Sequence, residues 1–150
     1  MILYRLCKCV YADDLSGNGA RLYGGRWNSE GRAMLYTASS RSLAVLEALV
    51  HLSPTNMPDD FCMLTIEAPD DYTILDVETL PKDWREYPEK QILKQTGNNF
   101  LKEAKHLLLQ VPSALVSEEF NYLLNPMHPN ASSVKTISKR AFSFDERLLS

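Results

Sequence analysis

Glu47 lies in Leu43-Ala44-Val45-Leu46-Glu47-Ala48-Leu49-Val50, a stretch with helical spacing. At about 100° per residue, Leu43, Leu46, Leu49 and Val50 form one apolar arc, and Glu47 falls roughly 40° from Leu43, at the edge of that arc rather than opposite it. A carboxylate there is partly desolvated unless something pairs with it, a setting that suits electrostatic catalysis. It also suits a solvated boundary residue or a structural ion pair. Arg26 follows two glycines in Gly24-Gly25-Arg26-Trp27. Paired glycines allow a tight turn or close approach to a ligand. The planar guanidinium fork fits phosphate or carboxylate, or stacks on an aromatic such as Trp27. Tyr36 offers a ring that could stack on a flat substrate and a hydroxyl that could hydrogen-bond, or it is a core tyrosine. Ser113 follows Pro112 at the end of an apolar run, as a site residue or a turn. No Ser-His-Asp or Cys-His order accompanies it, so acyl-transfer hydrolysis is unsupported. GxGxxG and Walker patterns are absent, which removes the standard dinucleotide and triphosphate cradles.

Positioning these groups requires a mixed set of elements. Residues 2–10 read as an opening strand and 33–38 as a short one. Ser39 and Ser40 offer N-caps for a helix over 43–52, ended by Pro54 and Pro58. Strands are expected at 61–68 and 73–77. Pro88 can start a helix running towards Thr96, with Gly97 as its stop and a second helical stretch over 98–105. Residues 107–111 read as a buried strand closed by Pro112, and 118–124 as a short helix or turn. One more strand is expected at 134–137 and a capped helix at 144–149. Without a regular βαβ rhythm, the fold class expected is α+β: one compact domain over residues 1–150 with a mixed, largely antiparallel sheet.

Composition narrows the classes. A chain of 150 residues is the size of one domain and needs no disulfide staples to hold a core. With 45% hydrophobic and 23% charged residues it is neither disordered nor fibrous. Its formal charge of −3, without a basic run, is a poor basis for holding nucleic acid by phosphate neutralisation. No apolar run approaches the roughly 20 residues of a membrane-spanning helix. The N-terminus is charged too early for a signal peptide. Cys7, Cys9 and Cys62 form no CxxC, and His51, His106 and His128 show no metal spacing, so no metal is expected. Cys7 and Cys9 would share one strand face, and all three are expected as reduced buried thiols in a cytosolic protein.

The motifs gain meaning from their order. Gly24-Gly25-Arg26-Trp27-Asn28-Ser29-Glu30-Gly31 is followed by Leu35-Tyr36-Thr37-Ala38 and Ala44-Val45-Leu46-Glu47. Then come Gly97, Val111-Pro112-Ser113-Ala114, Asn121-Tyr122-Leu123-Leu124-Asn125-Pro126 with His128-Pro129, and Phe144-Asp145-Glu146-Arg147. In this order the chain, from Arg5 to its C-terminus, resembles the RES domain family. Phe100 stands where the family often has Trp.

The resemblance implies a toxin of a bacterial toxin–antitoxin pair, with a fold similar to ADP-ribosyltransferase toxins. The implied activity is NAD⁺ degradation by hydrolysis or phosphorolysis of the nicotinamide–ribose bond; some members instead transfer ADP-ribose to a protein. Glu47 would then stabilise an oxocarbenium-like state. Tyr36 would stack on nicotinamide or hydrogen-bond near its ribose. Arg26 and Arg5 would hold the pyrophosphate, Ser113 would hydrogen-bond the ribose or carboxamide, and Asn121 would shape the pocket. No cofactor is implied beyond NAD⁺ as substrate and inorganic phosphate as co-substrate. The implied partner is an Xre-like helix-turn-helix antitoxin that blocks the active site in a hetero-oligomer. Any DNA contact then falls to that partner, and the location expected is cytoplasmic, away from membranes. A non-catalytic nucleotide-binding module is the competing expectation; it would keep Arg26 without needing Glu47.

Overall fold

The computed structural model describes every residue except Pro54, Asn56 and Ser150, so the expected helix stop at Pro54 lies outside the described residues. Seven strands form one sheet: β1 (Ile2–Lys8), β2 (Leu35–Ala38), β3 (Phe61–Glu67), β4 (Tyr72–Ile74), β5 (Leu108–Pro112), β6 (Phe120–Leu124) and β7 (Lys135–Phe142). Their spatial order is β4-β5-β6-β2-β1-β3-β7. Every adjacent pair is antiparallel except β4–β5, which is parallel. Among the described residues three α-helices accompany the sheet: α1 (Asn18–Tyr23), α2 (Arg41–Leu49) and α3 (Gln91–Glu103). The fold is thus α+β with a mixed, largely antiparallel sheet, as expected.

Both faces of the sheet are covered. On one face Leu3, Cys7, Leu35, Leu64, Leu108 and Leu124 pack together, roofed by Leu15, Ala131 and Val134 from loops. On the other, Leu109, Val111 and Leu123 pack against Leu93 and Phe100 of α3, and Ala38 and Met63 against Leu43 and Ala44 of α2. Two-sided cover explains why six consecutive residues of β3 are buried, where a half-exposed strand would alternate.

Helix α2 begins where its cap predicts: the Ser40 hydroxyl accepts from the Leu43 amide at 3.1 Å. Its packing face is rotated from the expected arc. Leu43 and Ala44 are buried, whereas Leu46 and Val50 are exposed. Leu43 and Ala44 pack on Ala38 and Met63 of the sheet with Val45 beside them, and Glu47 and Ala48 face the cleft next to this contact.

Other expectations are corrected. Gly97 is not a helix stop: α3 runs through it and ends at Ala104, in the left-handed region at φ 51°. A Cβ on Gly97 would lie 1.6 Å from the Trp27 carbonyl oxygen, so the glycine lets the helix touch the Gly24–Trp27 turn. The segment 118–124 contains a strand, β6, because it pairs between β5 and β2 in the sheet interior. The segment 73–77 is strand only to Ile74 and turns into a 3₁₀ helix at Val77–Thr79. The final helix is a 3₁₀ turn, Glu146–Leu149. Finally, the cysteines are not all reduced. β1 ends at Lys8, a 3₁₀ turn carries Cys9 across, and Cys9 is disulfide-bonded to Cys62 with a Cα–Cα distance of 4.9 Å. Cys7 stays a free, buried thiol, and burial pushes its pKa up.

Candidate functional site

A cleft of about 230 Å³ opens where α2 crosses the sheet. Tyr4, Arg5, Tyr36, Glu47, His51 and Asn121 line it. A larger hollow of about 400 Å³, beside Leu15, His128 and Val134, has no carboxylate or arginine among its lining residues. The chemistry therefore points to the smaller cleft.

Glu47 is held from two sides by elements distant in sequence. Its Oε1 accepts from the Ser113 hydroxyl at 2.7 Å and from Asn121 Nδ2 at 2.8 Å. Asn121 stands on β6, opposite Ala38 of β2 and Val111 of β5, and Ser113 immediately follows β5. Glu47 Oε2 makes no hydrogen bond with any described residue. The carboxylate is thus oriented by one oxygen and left with the other uncommitted.

Ser113 is positioned differently from the expectation that it bonds a ribose or carboxamide. It is fully buried. Its oxygen accepts from the amides of Leu115 and Val116, both at 3.1 Å, so its proton is directed to Glu47. A hydroxyl has one donor and two acceptor positions, and all three are used. Asn121 differs: the Glu47 bond fixes which end of the amide is nitrogen, and the opposite atom, Oδ1, is buried without a hydrogen-bond partner among the described residues.

Tyr36 presents its ring, not its hydroxyl. The hydroxyl donates to Asn28 Oδ1 at 2.6 Å and accepts from the Trp27 amide at 3.0 Å. Burial foremost, with Glu89 adding, pushes its pKa well above the ordinary tyrosine value. Asn28, fully buried, answers by donating to the carbonyls of Ala20 and Arg32, both at 2.9 Å. These bonds lock the turn that carries Arg26.

Arg26 does not line the cleft. Its Nη1 donates to the carbonyls of Trp84 at 3.0 Å and Glu86 at 3.2 Å, leaving Nε and Nη2 uncommitted among the described residues. Lys94 steadies the same turn by donating to the Gly25 carbonyl at 2.8 Å, and pairs with Glu89 at 3.2 Å. Arg5 does line the cleft, and its Nη1 is buried without a partner among the described residues. Strand alternation puts Arg5 on the Leu3 and Cys7 side of β1. The cleft thus has one wall in the gap beside the single β1–β2 pairing at Tyr4 and Ala38.

The structure therefore brings Glu47, Ser113 and Asn121 together, sets Tyr36 in the same cleft with Arg5 on the bordering strand, and places Arg26 outside it, bonded to the 84–86 segment. Sequence reasoning missed Asn28, His51 and Arg85. Asn28 lies inside the Gly24–Gly31 motif. His51 stands four residues beyond Glu47, a spacing that repeats on one helical face. Arg85 carries no local signal.

Comparisons with known proteins agree with this architecture. The RES domain family matches residues 2–145. "Toxin Res" of Photorhabdus laumondii is 41% identical over 99% of this chain and 97% of its own length. "Toxin Res" of Pseudomonas putida is 42% identical over 99% of both chains. The "Prs ADP-ribosylating toxin" of a Sphingobium species is 41% identical over 92% of this chain and 88% of its own. Among solved structures, a chain of the M. tuberculosis MbcT–MbcA toxin–antitoxin complex shares the fold. Its TM-score is 0.74 at 17% identity, over 99% of this chain and 86% of that one. The order of motifs, the α+β fold and these relatives converge: the chain belongs to the RES domain family, the family of the Res toxins it matches.

Proposed function

We propose that the chain is the toxin of a bacterial toxin–antitoxin pair and that it degrades NAD⁺ in the cytoplasm by cleaving the nicotinamide–ribose bond. The observation that carries this reading is a carboxylate, Glu47, held by two donors on one oxygen and uncommitted on the other among the described residues, in a cleft lined by the Tyr36 ring. Departure of nicotinamide leaves an oxocarbenium-like ribose. A fixed negative charge beside the anomeric carbon stabilises that state more than the ground state. Nicotinamide leaves neutral, so the chemistry needs no strong general acid. Water or inorganic phosphate then adds to the sugar carbon, giving ADP-ribose or its 1-phosphate. No further cofactor enters.

Other groups have a part. The Tyr36 ring stacks on the flat nicotinamide. The free Nε–Nη2 side of Arg26 suits a pyrophosphate oxygen pair, its orientation set by the two carbonyls on Nη1. Asn121 lines the cleft and holds Glu47, whereas the Arg5 side chain lies on the Leu3 and Cys7 side of β1 and takes no part in the pyrophosphate contact. The partner is an Xre-like antitoxin that covers this cleft; that the fold recurs in a toxin–antitoxin complex supports such a partner.

The test is to mix the purified protein, freed of antitoxin, with NAD⁺, with and without phosphate, and follow free nicotinamide. Release under either condition is expected; none under both would sink the reading. A second reading, transfer of ADP-ribose to a protein, is favoured by the relative named an ADP-ribosylating toxin. Radiolabelled NAD⁺ would then mark a protein band instead of yielding mainly small products.

A further inference from the structure

Ser113 can direct its proton at Glu47 only while the loop behind it, 113–116, keeps its shape. That loop is closed internally by the Leu115 and Val116 amides on Ser113 Oγ, and by the Ser113 amide on the Glu119 carbonyl at 2.8 Å. Its outward carbonyls are taken by one side chain. Arg85 Nε donates to the Ala114 carbonyl at 2.9 Å and Nη2 to the Leu115 carbonyl at 3.2 Å. A guanidinium is the side chain whose rigid fork can grip two neighbouring carbonyls at once.

Arg85 is itself held in place. Arg26 Nη1 bonds the carbonyls on either side of it, those of Trp84 and Glu86. The buried Trp84 ring sits 6.3 Å from that of Trp27, and Asp83 pairs with Lys90 at 2.9 Å. A continuous chain of bonds thus runs from Arg26 through the 84–86 segment and Arg85 to the 113–116 loop, and from Ser113 to the Glu47 carboxylate.

We propose that Arg85 is a positioning residue for Glu47, acting through Ser113, and that Arg26 supports it. The inference rests on the reading of Glu47 as the charge that stabilises the transition state. Arg85 touches no cleft-lining group, so its loss leaves substrate contacts intact and misaligns the carboxylate. Small displacements of a reacting group cost rate rather than affinity.

The experiment compares wild type, Arg85→Ala, Arg85→Lys, Ser113→Ala and the Arg85→Ala/Ser113→Ala double variant in the nicotinamide-release assay. Thermal melts confirm that each is folded. Arg85→Ala should lower kcat roughly 10- to 100-fold with KM for NAD⁺ changed less than about threefold. Arg85→Lys, able to satisfy one carbonyl, should fall between. The double variant should be no slower than Ser113→Ala alone, because both act through one hydroxyl. Losses that multiply, or a change in KM alone, would overturn the proposal. Amide exchange and the Glu47 carboxyl ¹³C shift supply readouts that need no catalysis. In Arg85→Ala the Leu115 and Val116 amides should exchange about tenfold faster, and the Glu47 shift should move in the direction seen in Ser113→Ala. Unmoved signals refute the role of Arg85. A wild-type protein that releases no nicotinamide refutes instead the NAD⁺ reading, while the two spectroscopic signals still decide on Arg85.

Discussion

Replacing Glu47 by Gln removes one charge and almost nothing else. The side-chain carbonyl of Gln can take the place of Oε1 and accept the same two bonds, from Ser113 Oγ at 2.7 Å and Asn121 Nδ2 at 2.8 Å. The new NH₂ then faces the cleft where Oε2 stood. The half-buried position of the side chain means that no large apolar contact changes, and Tm should stay within about 2 °C. The charge itself matters when positive charge develops on the ribose. A carboxylate at contact distance, about 4 Å, attracts a unit charge by about 4 kcal/mol at an effective dielectric constant near 20. Only part of a unit charge develops, and some attraction already exists with the cationic nicotinamide ring of the ground state, so a loss of about 2–4 kcal/mol in transition-state stabilisation is expected. That is roughly a 30- to 1,000-fold fall in kcat/KM for nicotinamide release. Initial rates over a range of NAD⁺, with phosphate present and absent, measure it. The growth arrest caused by expressing the protein should vanish in parallel. A folded Glu47→Gln protein that keeps more than about a third of wild-type kcat/KM would refute the electrostatic role and favour a binding module.

Three further outcomes follow from other parts of the molecule. Arg26→Lys leaves one point charge where Nη1 serves two carbonyls and the rest of the fork is free, so KM for NAD⁺ should rise about tenfold; an unchanged KM in steady-state kinetics would make Arg26 a tether only. Gly97→Ala gains about 1 kcal/mol of helix propensity but sets a Cβ 1.6 Å from the Trp27 carbonyl oxygen. Overpacking against backbone should win by about 2 kcal/mol or more, and a Tm above wild type by calorimetry would contradict this. Asp71 has its pKa held below the usual carboxylate range, first by the His106 hydrogen bond at 2.9 Å and then by Asn130 and the Leu107 amide, aided by the nearby His128. Its contribution is fully present above its unfolded value of about 3.9 and fades as pH falls through the lower folded value. Asp71→Asn should therefore lower Tm at pH 7 by a few degrees and by progressively less below about pH 4. A gap that stays constant down to pH 3 would show that the charge of Asp71 is not what stabilises.

The parts of the fold that sequence makes legible are those decided locally. Ser40 caps α2 because its hydroxyl meets an amide three residues on, a relation contained in the sequence itself. β1, β2, β3 and β5 are apolar runs bounded by turn residues, and they form close to where periodicity puts them. What was illegible depends on a neighbour. Gly97 looks the same whether it stops a helix or lets one touch another segment, and only the Trp27 carbonyl decides. The segment 118–124 reads locally as a short helix or turn and contains β6 because β5 and β2 flank it. The face that α2 buries is set by where Ala38 and Met63 of the sheet receive Leu43 and Ala44, which leaves Leu46 and Val50 of the expected arc exposed. Cys9 meets Cys62 through a 3₁₀ turn that no spacing rule announces. In the site, Glu47 and Ser113 were legible as a motif order but not as a pair, and the saturation of the Ser113 oxygen is visible only once the 113–116 loop is folded.

The polar atoms left over in the fold carry the last step. Almost every buried donor and acceptor near Glu47 is satisfied within the chain: Ser113 three times over, Tyr36 twice, Asn28 by four bonds. Two atoms among the described residues are not: Arg5 Nη1, on the Leu3 and Cys7 side of β1, and Asn121 Oδ1, on the residue that bonds Glu47. A buried polar group without a partner costs about 1–3 kcal/mol. Asn121 is kept despite that cost because its other end, Nδ2, donates to Glu47 Oε1 at 2.8 Å. A hydrophobic replacement there would satisfy β6 and release the carboxylate. The unmet Oδ1 is thus a consequence of orienting Glu47, and it ties the choice of residue 121 to the placement of that carboxylate.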